Sequence, residues 1–208
     1  MNKYITELIG TFFLVLTVGC TVISGAQGVI APLAIGSSLM IMVFAGGHIS
    51  GGHYNPAVTL GVWMRGRCDT KDVVPYFVAQ LIGAGLAALA TKYLVGAPKA
   101  APGELAVGPA LLAEFLFTFA LVFVVLNVAT AKGTAGNSFY GLAIGFTVTV
   151  GACAVGGISG GAFNPAVAVG VSTMGLALWS NIWIYLVSEL LAGAAAALTF
   201  KVLNPEDK

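Results

Sequence analysis

Charge is scarce in this chain of 208 residues. Asp, Glu, Lys and Arg make up 8% of the sequence, against about a quarter in soluble globular domains. This scarcity excludes an ordinary water-soluble globule and a nucleic-acid binder, which would need a basic surface. A disordered chain is excluded as well, because 58% of the residues are hydrophobic and disordered chains are poor in apolar residues.

The few charges are also unevenly placed. No charged residue lies between Leu8 and Met64, a run of 57 residues, or between Gly133 and Ser188, a run of 56. Because about 20 apolar residues cross a bilayer, these runs predict a membrane protein that crosses several times. Six crossings would use about 120 residues and leave no room for a soluble domain.

Cysteine and histidine are rare too. The three cysteines, Cys20, Cys68 and Cys153, are scattered and form no Cys-x-x-Cys pair, so we expect neither a disulfide nor a metal site. His48 and His53 have no further His, Cys or acidic cluster beside them, and we expect them to be structural or to line a pore. We expect no cofactor.

The apolar residues form six blocks separated by Gly, Pro and the few charges. Strand-like alternation is absent, which disfavours a β-barrel. The sequence therefore predicts an all-α membrane protein with six transmembrane helices. The blocks fall near Tyr4–Ser24, Pro32–Gly47, Val73–Val95, Pro109–Thr130, Phe139–Gly156 and Trp179–Leu203.

Two shorter segments, Asn55–Arg65 and Asn164 to about Met174, each follow a glycine-rich stretch and begin with Asn-Pro-Ala. Asn is a good helix N-cap and Pro suits the first helical position. Each segment is long enough for only half of the bilayer. The glycine-rich backbone before it must be buried or line a wet cavity, since lipid satisfies no polar group. We predict two re-entrant half-helices.

The two halves of the chain match. Ile49–Val58 aligns with Ile158–Val167, 109 positions on, and Tyr76–Gln80 aligns with Tyr185–Glu189 at the same offset. The sequence therefore predicts two repeats, residues 1–98 and 99–208. Each repeat holds three crossings. Because three is an odd number, the two copies must insert in opposite senses. Such an inverted repeat places its functional site at the membrane midplane.

This arrangement predicts a pore chemistry. Two helix N-termini meeting at the midplane each bring about half a positive charge, which repels cations and protons. The Asn55 and Asn164 side chains could donate to a passing acceptor, and the extended runs before them should expose carbonyl groups. Such a path suits a single file of neutral, hydrogen-bonding molecules. The expected pore carbonyls belong to Gly51, Gly52, His53, Gly160, Gly161 and Ala162.

Glu7 and Glu114 lie in otherwise apolar helices, at matching places in the two halves. A buried carboxylate is costly unless it is paired. The two could relay protons, but we favour structural acceptors that hold the re-entrant loops by their backbone N–H groups, with His53 as a further partner of Glu7. Gln80 and its counterpart Glu189 could do similar work.

Basic residues predict the orientation of the chain. With the N-terminus inside, seven of the nine Lys and Arg residues fall in inner segments, and only Lys92 and Lys99 fall outside. The positive-inside rule then places both termini in the cytoplasm. The inner residues are Lys3, Arg65, Arg67, Lys71, Lys132, Lys201 and Lys208.

Together these motifs resemble the aquaporin, or major intrinsic protein, family over nearly the whole chain. Two Asn-Pro-Ala boxes at corresponding places are highly specific, and the two Glu-x-x-x-Thr-Phe helices agree with them. The resemblance implies a homotetramer with one pore per subunit that conducts water or small neutral solutes. The boxes are Asn55, Pro56, Ala57 and Asn164, Pro165, Ala166.

The chain departs from that family at the narrowest point of the pore. Water-selective members usually carry a His on the fifth helix and an Arg just after the second box. Here Ala152 and Val167 stand at these positions, and Ile35 and Gly161 complete the constriction. The exchange removes a fixed cation and several donors. We infer a wider, less polar outer constriction.

The leading hypothesis is thus a passive channel for water or small uncharged solutes such as glycerol, urea, ammonia or dissolved gases, in the cell (inner) membrane. A proton-coupled solute transporter and a structural membrane protein with an inactive pore are the alternatives. No enzyme is expected, because no nucleophile–base pair, metal cluster or phosphate loop is visible.

Overall fold

The structure is a computed structural model that describes residues 1–26 and 28–207, so Lys208 of the expected inner charges lies outside the described residues. Helices account for all regular secondary structure in the described part of the chain. The α-helices are α1 (Asn2–Ile23), α2 (Ile30–Ser50), α3 (Pro56–Met64), α4 (Thr70–Val95), α5 (Val107–Val125), α6 (Tyr140–Ser159), α7 (Pro165–Met174) and α8 (Ile182–Leu203).

Six of these helices are long and apolar enough to cross a membrane: α1, α2, α4, α5, α6 and α8. The predicted all-α membrane protein with six spans is therefore confirmed. A π-helix, Leu126–Thr130, extends α5, and short 3₁₀ turns cover Lys132–Thr134 and Trp179–Asn181.

The helices before the two boxes end later than the apolar blocks suggest. α2 runs to Ser50 and α6 to Ser159, through glycines that do not interrupt them. A helix in lipid keeps its backbone hydrogen bonds internal, which favours continuation. Gly51 and Gly160 end the two helices in the left-handed conformation, with φ of 89° and 92°, a conformation that glycine adopts at little cost.

The short helices α3 and α7 have 9 and 10 residues. Each begins as the sequence predicts, with an Asn N-cap followed by Pro. The Asn55 side chain accepts from Ala57 N, and the Asn164 side chain accepts from Ala166 N.

Close helix contacts bring the long helices around these two short ones. A Cβ built on Gly36 of α2 would lie 2.5 Å from the Gly145 oxygen of α6, and one on Gly145 would clash with the Gly36 oxygen. On α8, a Cβ on Gly193 would lie 2.6 Å from the Ala57 oxygen. Small residues at these crossings let the backbones touch.

Candidate functional site

The two short helices start face to face in the interior of the molecule. Asn55 Nδ2 donates to the Phe163 oxygen at 2.8 Å, and Asn164 Nδ2 donates to the Tyr54 oxygen at 2.9 Å. Each amide thus uses one hydrogen to hold the opposite loop and keeps a second one free for a ligand. The positive ends of both helix dipoles meet at this point.

The residue before each Asn is strained. Tyr54 and Phe163 both have φ of 50°, a left-handed conformation that bulky non-glycine residues seldom adopt. Both side chains are buried, and Tyr54 Oη donates to the Met42 oxygen at 2.9 Å. The left-handed turn reverses the chain just before it enters the helix.

Glu7 holds the first loop from behind. Its Oε1 accepts from Ser50 Oγ at 2.7 Å and from His53 N at 2.9 Å. Its Oε2 accepts from Tyr54 N at 2.6 Å and from Gln80 Nε2 at 2.8 Å. His53 therefore supports Glu7 through its backbone, while its ring Nδ1 lies 3.1 Å from Thr59 Oγ1.

Glu114 holds the second loop in the same way. Its Oε1 accepts from Ser159 Oγ at 2.6 Å and from Ala162 N at 3.0 Å, and its Oε2 accepts from Phe163 N at 2.7 Å. Glu189 adds a further acceptor, since its Oε1 binds Asn164 N at 3.0 Å. All these acids are buried, and their contacts favour the structural interpretation over a proton relay.

Contacts within the protein engage the N–H groups of residues 51–54 and 160–164. The carbonyl oxygens of residues 51–53 and 160–162 accept no hydrogen bond from the described residues. The loops thus offer acceptors and withhold donors.

A cavity of about 240 Å³ opens on one side of the two Asn side chains. All four residues expected at the constriction, Ile35, Ala152, Gly161 and Val167, line it. Much of the remaining wall is aliphatic, and the expected carbonyl groups of Gly52, His53, Gly160, Gly161 and Ala162 also belong to residues of its lining.

A second cavity, of about 890 Å³, lies around the other loop ends. Gly51, His48 and the charged residues Arg67 and Lys132 line it. His53 lines both cavities, so the two are neighbours across the first loop. The molecule therefore has a polar cavity and an apolar cavity in series.

The comparisons with known proteins agree with this geometry. The family model described as Major intrinsic protein matches residues 1–200. The chain belongs to this family. The major intrinsic proteins are channels and not enzymes, so the chain is a multi-pass membrane channel for water or small solutes.

Relatives support this family assignment along the full length. The chain is 34% identical to a glycerol uptake facilitator protein-like 6 of Lactiplantibacillus plantarum, with 100% of both chains covered. It is 36% identical to aquaporin NIP1-3 of Oryza sativa subsp. japonica, over 100% of this chain and 75% of the relative. The aquaglyceroporin structure of Plasmodium falciparum has the same fold, with a TM-score of 0.84, 23% identity and coverage of 98% and 97%.

Two tyrosines of this major intrinsic protein bind the helix ends before the boxes and were not predicted from the sequence to do so. Tyr76 Oη donates to the Ser50 oxygen at 2.7 Å, and Tyr185 Oη donates to the Ser159 oxygen at 2.6 Å. The two tyrosines begin the second pair of matching segments, and this match was the signal that could have found them. The strain at Tyr54 and Phe163 had no such signal, because neither residue favours positive φ.

Proposed function

We propose that the chain is a passive channel for water and small uncharged solutes, with a widened, apolar outer constriction in place of an aromatic and arginine filter. The observation that carries this proposal is the shared lining of one cavity by Ile35, Ala152, Gly161 and Val167. None of these side chains can donate a hydrogen bond.

The hydrogen-bonding character of the path favours solutes that bring donors. The loop N–H groups are engaged by Glu7, Glu114 and Glu189, so the loops present carbonyl oxygens. Water, glycerol, urea and ammonia all carry donors for such acceptors, and the relative named for glycerol uptake makes glycerol a solute to test first.

Charged solutes should be rejected at the midplane. The N-termini of α3 and α7 meet there, and their dipoles disfavour cations and protons. Because Val167 replaces the usual pore Arg, these dipoles are the main electrostatic barrier.

Stopped-flow light scattering on proteoliposomes tests the proposal, with a panel of water, glycerol, urea and ammonia and with proton leak measured in the same vesicles. We expect at least one neutral permeability well above that of empty liposomes. Val167→Arg should narrow the range of solutes that cross. Val167→Met also adds a long side chain but no charge and no donor, so it separates the effect of side-chain bulk from that of hydrogen bonding.

A permeability equal to that of empty liposomes for the whole panel would contradict the channel. Unchanged rates in Val167→Arg would contradict the position of the constriction. Uphill uptake driven by a pH gradient would favour a coupled transporter, and tight vesicle apposition without permeability would favour a structural protein.

We also propose how the chain is arranged. Residues 1–98 and 99–208 act as inverted repeats, which the facing starts of α3 and α7 support. We expect a homotetramer with one pore per subunit, in the cell (inner) membrane with both termini in the cytoplasm. Cross-linking in native membranes tests the tetramer.

A further inference from the structure

The two repeats differ at one buried polar position. Gln80 of α4 and Glu189 of α8 correspond in the 109-residue alignment, and both are fully buried. Gln80 Nε2 donates to Glu7 Oε2 at 2.8 Å and to Thr59 Oγ1 at 3.0 Å. In the first repeat, the loop-holding carboxylate therefore receives a neutral donor from the neighbouring helix.

Glu189 stands where that donor is needed in the second repeat. Its Oε1 accepts from Asn164 N at 3.0 Å. Its Oε2 is buried without a donor among the described residues. The Glu114 and Glu189 carboxyls accept from consecutive backbone N–H groups, those of Phe163 and Asn164, so the two acids converge on the same turn. Ala168, the counterpart of Thr59, has no hydroxyl to offer.

Two ionised carboxylates cannot bond each other, because each is only an acceptor. Glu114 already accepts three hydrogen bonds as a carboxylate, whereas Glu189 accepts one. A proton on Glu189 would turn it into a donor to Glu114 and would reproduce the contact that Gln80 makes with Glu7. Close buried carboxyl pairs elsewhere share a proton for this reason.

Among the described residues, the helices around this pair offer no other compensation. Of the helices packed against α8, α3 and α7 carry no titratable residue, and α5 carries only Glu114. On α8 itself the neighbouring group is Tyr185, whose hydroxyl is used on the Ser159 oxygen, while Lys201 is exposed in the last turn.

We propose that Glu114 and Glu189 form a proton-binding site, in which one proton is shared and the pair carries a single negative charge. Glu189 acts through the Asn164 N–H and is therefore a positioning residue for the second Asn of the pore. With the proton bound, each half of the channel has one buried negative charge behind its loop. Without it, two adjacent charges would repel each other and pull Glu189 away from Asn164.

Infrared spectroscopy on the full chain in vesicles at neutral pH tests this site without measuring transport. A protonated carboxyl group gives a C=O stretching band separate from that of a carboxylate. We expect such a band in the wild type and its loss in Glu189→Gln, which should stay folded because the amide donates as Gln80 does. Gln80→Glu should add a second band, since it places a second carboxyl group beside Glu7 in the first repeat.

A wild-type spectrum without the band would overturn the proposal, and so would a band that persists unchanged in Glu189→Gln. A metal cation held between two ionised carboxylates would also leave the band absent, and that result would overturn the proposal. Failure of Glu189→Gln to fold would also contradict the proposal, because an amide would then be no substitute for the native group. Glu189→Leu, which has similar size and no donor, should lower the unfolding temperature where Glu189→Gln does not.

Discussion

At the scale of single residues, the pore depends on backbone strain that two carboxylates hold in place. The left-handed conformations of Tyr54 and Phe163 each cost on the order of 1–3 kcal/mol. The N–H of each strained residue donates to a glutamate, at 2.6 Å for Tyr54 and 2.7 Å for Phe163. The glutamates therefore fix the left-handed turn that precedes each Asn.

Glu7→Gln should consequently destabilise the channel and lower its permeability. The carboxylate accepts from four donors, and an amide would turn its NH₂ group toward at least one of them. Each buried donor left unpaired costs about 1–3 kcal/mol. The unfolding temperature in detergent and the permeability in proteoliposomes measure the two effects.

Glu104→Gln is the control for this change. Glu104 is exposed between α4 and α5, so the same loss of one charge should leave stability and permeability near those of the wild type. If both variants behaved alike, the loss would come from net charge, and the loop-holding role of Glu7 would be wrong.

The sequence reaches only part of this residue-scale picture. The N-cap role of each Asn follows from the residue type and the Pro beside it. The left-handed Tyr54 does not, because only the loop closure imposed by Glu7 makes that conformation acceptable. The role of Gln80 as a donor could be suspected from the repeat, but its partner could be known only from the packing of α4 on α1.

At the scale of elements, the position of α3 depends on a glycine of α8. Gly193→Ala would place a methyl group 2.6 Å from the Ala57 oxygen, beside the first box. The two helices would have to separate, and overpacking of this kind costs about 1–3 kcal/mol. We expect a lower unfolding temperature and a lower permeability.

Gly85→Ala provides the matched comparison, because Gly85 also lies inside a helix but has no atom within 4 Å of a built Cβ. Both changes gain the same intrinsic helix propensity, about 1 kcal/mol. Equal stability of the two variants would show that the α3–α8 contact tolerates a larger side chain.

The C-terminal segment joins three elements around the cavity that Arg67 and Lys132 line. Asp207 accepts from Arg65 Nη2 at 2.6 Å and from Lys132 N at 2.7 Å. The Arg65 guanidinium lies 4.6 Å from the centre of the Phe200 ring of α8. The Lys132 N–H, followed by the Arg65 charge, holds the pKa of Asp207 below its usual value.

Because that pKa is depressed in the folded chain, the stability that Asp207 contributes is present above the usual aspartate pKa of about 3.9. It is lost as the pH falls through the lower, folded value. Asp207→Asn should therefore lower the unfolding temperature at neutral pH, and the difference from the wild type should shrink in acid. Glu206→Gln, at an exposed neighbour, should show no such pH-dependent difference.

The sequence predicts the number of membrane-spanning helices better than the residues at which those helices end. Six spans follow from apolar length, because lipid leaves a helix few alternatives. The ends of α2 and α6 were placed too early, because a helix in lipid keeps its backbone hydrogen bonds internal and therefore continues through glycines such as Gly47 and Gly156. The π-helix Leu126–Thr130 was not expected from the sequence, which shows only a continuous apolar block there.

At the scale of the whole molecule, charge scarcity has two separate causes. The outward faces of the long helices expose large apolar side chains such as Leu112 and Leu198, as a surface in contact with lipid requires. The pore wall is the second cause: the uncharged run Gly133–Ser188 includes Val167, which we propose takes the place of a pore arginine. The absence of charge from this run therefore fits both a membrane and the proposed apolar constriction.

The remaining charges predict how the whole molecule sits in the membrane. Seven of nine basic residues belong to segments that share one face if the six spans are crossed in order. In a chain whose three native cysteines are replaced by alanine, we would introduce Lys99→Cys or Gly133→Cys, both at exposed loop positions. Lys99 precedes α5 and Gly133 follows it, so the two must lie on opposite faces.

A membrane-impermeant maleimide applied to intact cells should label the Lys99→Cys chain. The Gly133→Cys chain should react only after permeabilisation, because Gly133 adjoins Lys132 on the basic, inner face. The reversed pattern would mean that the positive-inside rule fails for this chain and that the apolar constriction faces the cytoplasm. Labelling of both variants in intact cells would contradict a single orientation, and with it the assignment of the apolar cavity to the outer side of the pore.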